Sequence, residues 1–146
     1  MHDALEAAQI ACEKQPKDAE AWWLLGCISR YTQMPAASDT AFQRAAQLSR
    51  KKALPHRVSQ PEFESMVERA LAQLSPDARR RLKEATVEVQ PMPAIDAIRG
   101  GLAPEALSSR SREGADRLTI YQINHENRAG SESELSGLVA RTLSRA

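Results

Sequence analysis

Asp116-Arg117-Leu118-Thr119-Ile120-Tyr121 and, after a short polar turn, Glu134-Leu135-Ser136-Gly137-Leu138-Val139-Ala140-Arg141-Thr142-Leu143 decide how this chain is read. From the first stretch onward Leu118, Ile120 and Gln122 alternate with Thr119, Tyr121 and Ile123. A strand carrying apolar groups on both faces belongs inside a small sheet. In the second, Leu135, Leu138, Val139, Thr142 and Leu143 fall at helical spacing on one face, and Ser131-Glu132-Ser133-Glu134 supplies an N-cap. His125 lies between the two, at the expected end of the strand, where a capping or surface role suits it.

These two stretches resemble the minimal zincin-like metallopeptidase family, in which a D-R-[IL]-T-[IL]-Y strand leads through an acidic turn into a helix ending in H-E-I-G-H-H. Phe63-Glu64, Val67-Glu68, Ala70-Leu71 and Leu74 are similar to an earlier helix of the same family, so the resemblance spans residues 59–144. It implies a zinc peptidase scaffold. A helical zinc site needs two histidines one turn apart with a glutamate between them. Arg141-Thr142-Leu143-Ser144 matches the stretch before that motif, and Arg145-Ala146 stands where it would begin. His2, His56 and His125 have no second histidine within a helical turn, and Ala129 occupies the position three beyond Glu126. Cys12 and Cys27 lack the short spacing of a zinc knuckle. The expectation is a scaffold with no metal, no cofactor and no catalytic residues.

The N-terminal third carries a separate pattern. Ala21-Trp22-x-x-Leu25-Gly26 followed by Phe42-x-x-Ala45 has the spacing of a tetratricopeptide repeat, a helical hairpin in which small residues let two backbones approach. A shift by the repeat length of about 34 residues places Ala11 on Ala45 and Ala8 on Phe42, so a trailing helix of a preceding repeat is expected upstream. His2 or Asp3 would cap that helix and Asp18 the next, and Pro35 fits the start of the third. Three helices are too few to form a peptide-holding groove. Trp22, Trp23, Tyr31 and Phe42 are the candidate protein-interaction residues, because large rings are scarce here and exposed tryptophan is enriched at interfaces.

Between these regions, Ser49-Arg50-Lys51-Lys52 reads as the basic last turn of a helix. The expected organisation is residues 1–53 as repeat-like helices, 54–60 as linker and 61–146 as the zincin-like module. Ser59 with Glu62 forms a capping box opening a helix from Glu62 to Leu74. Ser75-Pro76-Asp77 caps a shorter helix through Leu82, and Thr86-Val87-Glu88-Val89 alternates as a strand. Arg79, Arg80 and Arg81 point in different directions on a helix and make no patch. The long connection from Gln90 to Asp116 is expected to be flexible around residues 108–115. The fold class is therefore α+β, mainly helical, with a repeat-like hairpin and a small degenerate zincin-like module holding a short sheet.

Lys and Arg number 20 against 19 Asp and Glu, a net charge of +1, and the balance holds on both sides of Pro55. Nothing in that field steers the protein to nucleic acid or an anionic membrane. The longest apolar run, Ala21 to Gly26, cannot span a bilayer, and no basic leader precedes it, so a cytoplasmic protein with reduced cysteines is expected. The functional expectation is a non-enzymatic protein-interaction or assembly module that binds a protein partner or itself. The alternative is a truncated or split zinc metallopeptidase. The final helix separates the two: a packing helix ends with satisfied carbonyls, whereas an amputated metal helix leaves Val139 and Leu143 uncovered.

Overall fold

The computed structural model describes residues 2–146, with the side chain of His2 left aside. It is mainly helical α+β and divides into two compact units, Met1–Pro55 and His56–Ala146. No helix among the described residues is long and apolar enough to cross a membrane.

The first unit consists of α1 (His2–Lys14), α2 (Ala19–Tyr31) and α3 (Pro35–Leu48). Asp18 caps α2, its Oδ1 accepting from the Glu20 amide at 3.0 Å, and Pro35 occupies the first turn of α3, where a missing N–H costs nothing. The cap of α1 lies outside the described residues; Asp3 sits within its first turn. Gly26 explains the tight α2–α3 crossing, since a Cβ there would stand 2.8 Å from the Phe42 ring. Ser38 Oγ donates to the Gly26 carbonyl at 2.8 Å across the same contact. The helix α3 stops at Leu48, so Arg50, Lys51 and Lys52 lie beyond it and not in its last turn.

The second unit begins with α4 (Gln60–Ala72) and α5 (Pro76–Arg81), followed by β1 (Thr86–Gln90), α6 (Ile95–Arg99), β2 (Ser108–Ser111), β3 (Arg117–Tyr121), α7 (Gln122–Glu126) and α8 (Glu132–Arg145). Ser59, Ser75 and Ser131 each accept from a backbone amide three residues on, at 3.2, 3.2 and 3.1 Å, which fixes where α4, α5 and α8 start. The sheet runs β1-β3-β2, with β3 central, parallel to β1 and antiparallel to β2. Leu118 and Ile120 of β3 join Phe63, Met66 and Val67 of α4 and Leu135, Val139 and Leu143 of α8 in one core. Each of these α8 side chains is completely buried, worth roughly 1.5–3 kcal/mol apiece relative to exposure.

Two expectations for the second unit fail. Residues 108–111 are not a flexible stretch but the strand β2, paired from Ser108↔Ile120 to Ser111↔Arg117. Ser-Ser-Arg-Ser has no apolar alternation, so its pairing rests on backbone bonds, on Ser109 Oγ against Tyr121 Oη at 2.8 Å, and on the Arg110 guanidinium forked onto Asp116 at 3.0 and 2.7 Å. That fork raises the pKa of Arg110 and lowers that of Asp116, chiefly through the hydrogen bond. The strand β3 also ends earlier than alternation implies, because Gln122–Glu126 turn into α7.

Candidate functional site

Of the four aromatic residues singled out from sequence, two are interior. Phe42 is 1% exposed beneath Gly26, and Tyr31 is 9% exposed. Trp22 and Trp23 are half-buried. The Trp22 indole N–H donates to the Pro16 carbonyl at 2.9 Å and so ties the turn between α1 and α2. Against Trp23 stands Lys52, its Nζ 4.7 Å from the ring centroid and 2.5 Å from Glu20 Oε2. Glu20 and Lys52 were not legible as site residues. Lys52 belongs to a basic run that reads as a helix end, and Glu20 reads as an ordinary first-turn carboxylate.

The rest of α2 inverts the usual distribution. Its buried positions hold Ala21, Gly26, Cys27, Ser29 and Tyr31, while Leu25 and Ile28 are half-buried and Leu24 is 45% exposed. Small groups face inward so that the neighbouring helices can close. The bulky aliphatic and indole groups are left partly in solvent.

In the second unit the histidine expected at the end of the strand, His125, is placed differently. It is neither a cap nor a surface residue, but completely buried on α7, because the chain turns into a helix directly after Tyr121. Its Nδ1 lies 2.7 Å from the Tyr121 carbonyl and its Nε2 2.9 Å from Thr142 Oγ1 on α8. A carbonyl only accepts, so Nδ1 carries the proton and Nε2 must accept from Thr142. Burial lowers the pKa of His125 to about 4, more than offsetting the favourable bond to Tyr121, so the ring is neutral at pH 7. Phe63 packs edge-on at 5.6 Å between ring centroids.

The neighbours of His125 bind backbone. Asn124 Nδ2 donates to the carbonyls of Pro104 and Ala106 at 2.9 and 2.7 Å. Glu126 Oε2 accepts from the Val58 amide at 2.8 Å, while Gln122 Nε2 donates to the Val58 carbonyl at 3.0 Å. His56, in the stretch expected as linker, donates its amide to the Ala129 carbonyl at 2.7 Å, so residues 56–58 are part of the second unit. Together these contacts make α7 a fastener for the entering strand-like segment, the loop before β2 and the helix α8.

A zinc ion does not fit this cluster. Both nitrogens of its only imidazole are used, and among the described residues no group of three or more His, Cys, Asp or Glu side chains is arranged to hold a metal. Near the end of α8, Arg81 Nη2 donates to Ser144 O at 2.6 Å and its Nε to the Ala146 carbonyl beyond the helix at 3.4 Å, while the Ala146 amide donates to Leu143 O at 3.3 Å. No family model and no curated protein matches this chain.

Proposed function

We propose that this chain is a non-catalytic protein-interaction or assembly module, in which a repeat-like helical hairpin presents the contact residues and a zincin-like scaffold uses its last helix for packing. The observation that carries this reading is that Leu24 is 45% exposed and Trp22, Trp23, Leu25 and Ile28 are only half-buried, on a helix whose buried positions are mostly small. Leaving such side chains partly wet forgoes a fraction of the roughly 1.5–3 kcal/mol that full burial of each contributes, and a covering partner recovers that fraction. Tryptophan is the residue most often found at the energetic centre of interfaces. The burial of Val139 and Leu143 and the bonding of the α8 carbonyls by Arg81 support the packing role of that helix.

The test is association measured on the intact chain, by light scattering over a concentration series and by capture of partners. Trp23→Ala is expected to weaken association about tenfold, the effect of truncating an interface residue worth a little over 1 kcal/mol. Equimolar zinc binding with peptide hydrolysis would overturn the proposal in favour of the split metallopeptidase. A monomer with no Trp23-dependent capture would also end it.

A further inference from the structure

Glu20 stands in the first turn of α2, Trp23 one turn on, and Lys52 reaches them from beyond the end of α3. Its ammonium touches the Glu20 carboxylate at 2.5 Å and lies over the indole face at 4.7 Å. A carboxylate beside an aromatic face matches a primary ammonium on both counts, by charge and by the negative face of the ring. It repels carboxylates and phosphates. The site is therefore built for a lysine side chain, and the chain's own Lys52 sits in it.

We propose that Glu20 and Trp23 form a receptor for a lysine side chain of a partner polypeptide, and that Lys52 plugs this receptor in cis. The inference rests on the reading of α2 as a contact helix and specifies its partner as a lysine-bearing segment. Lys52 is suited to exchange. It belongs to a local turn, with its amide on the Ser49 carbonyl at 3.2 Å, and is followed by exposed Ala53 and Leu54. Releasing it breaks one partly exposed ion pair and one cation–π contact, both individually weak. Being part of the same chain, Lys52 nevertheless competes as an intramolecular ligand, so free lysine competes poorly. A polypeptide displaces it by adding contacts to the apolar groups nearby, Leu24 among them.

The experiment follows the Trp23 indole N–H resonance of the intact chain during titration with a blocked Gly-Lys-Gly peptide or its Nε-acetylated counterpart. Lys52→Gln vacates the receptor without touching a helix, and Lys52→Ala vacates it a second way should the first variant lose its helical signal. The vacated variants are expected to bind the lysine peptide at least about threefold more tightly than wild type, in keeping with loss of a weak competitor. The acetylated peptide should have no effect, and adding Glu20→Gln should abolish the response. Equal binding of the two peptides, or no gain over wild type, overturns the proposal. So does a wild-type dimer held by mutual exchange of Lys52. Trp23-dependent association that survives alongside a silent peptide titration sinks this inference alone. Peptide binding without any Trp23-dependent association sinks the contact-surface reading and leaves the receptor standing.

Discussion

The two units solve the burial problem in opposite ways. In the second, large side chains meet: Phe63, Leu118, Ile120, Leu135, Val139 and Leu143 are all buried to 1% exposure or less. In the first, the interior of α2 and α3 is largely Ala21, Gly26, Cys27, Ser29, Ser38, Ala41 and Ala45, with Tyr31 and Phe42 as the large rings, and the other bulky groups of α2 are half-buried or exposed. Cohesion in one comes from side-chain volume and in the other from backbone proximity. Where volume is spent on the outside of a helix, the surface itself becomes the informative part. The other unit keeps its distinctive chemistry inside, as a hydrogen-bonded histidine.

The strongest challenge to this contrast is Phe63→Ala. It should cost about 3–5 kcal/mol, through lost burial and the cavity left beside His125. Both tryptophans lie in the first unit, so tryptophan emission reports that unit whereas helical circular dichroism reports both. Urea unfolding should show the dichroism transition of Phe63→Ala moving to lower urea while the emission transition stays. Coincident movement would show that the units do not unfold separately.

Next in size is the effect of acid. The unfolded chain protonates an imidazole near 6.5, the ordinary value, while folded His125 resists until about pH 4. Between those pH values the unfolded state binds more protons, so stability falls as pH falls and levels off below pH 4. The loss is about 3 kcal/mol and belongs to the second unit. Asp116, whose folded pKa is lowered from 3.8, loses its contribution only below that range. In His125→Gln the slope between pH 6.5 and 4 should disappear from unfolding curves; an unchanged slope would refute the buried neutral ring.

The smallest effect sharpens the first unit. Gly26→Ala raises helix propensity by about 1 kcal/mol, yet it drives a methyl group to 2.8 Å from Phe42. Overpacking of this kind costs about 1–3 kcal/mol, so the net result should be a modest loss in the tryptophan-monitored melt. A gain in stability would mean that the helices separate easily and that close approach does not hold them.

Much of this architecture could be read from local chemistry. Asp18, Ser59, Ser75 and Ser131 announced their helices because a cap is a contact within a few residues. The faces Phe63-Met66-Val67 and Leu135-Val139-Leu143 announced the core through periodicity, and Gly26 with Phe42 announced the close crossing. What escaped depends on distant partners. The β2 strand exists because β3 offers it an edge and Tyr121 and Asp116 receive Ser109 and Arg110. His125 is interior because Thr142, seventeen residues on, donates to its Nε2 between α7 and α8. The pairing of Lys52 with Glu20 spans the whole hairpin, and neither residue has a local signal for the other.

The three consecutive arginines of α5 make a final point about tolerance to change. Arg79 bonds the Ala72 carbonyl and Arg80 pairs with Asp77 on the surface, arrangements that a lysine can approximate. Arg81 spreads two different nitrogens over Ser144 and Ala146, and its own carbonyl receives Arg110 Nη2 at 2.6 Å. A lysine has a single nitrogen on a flexible stem and lacks that planar fork. Over evolutionary drift, the first two positions should interchange Arg and Lys freely, while the third stays arginine for as long as α8 is anchored there.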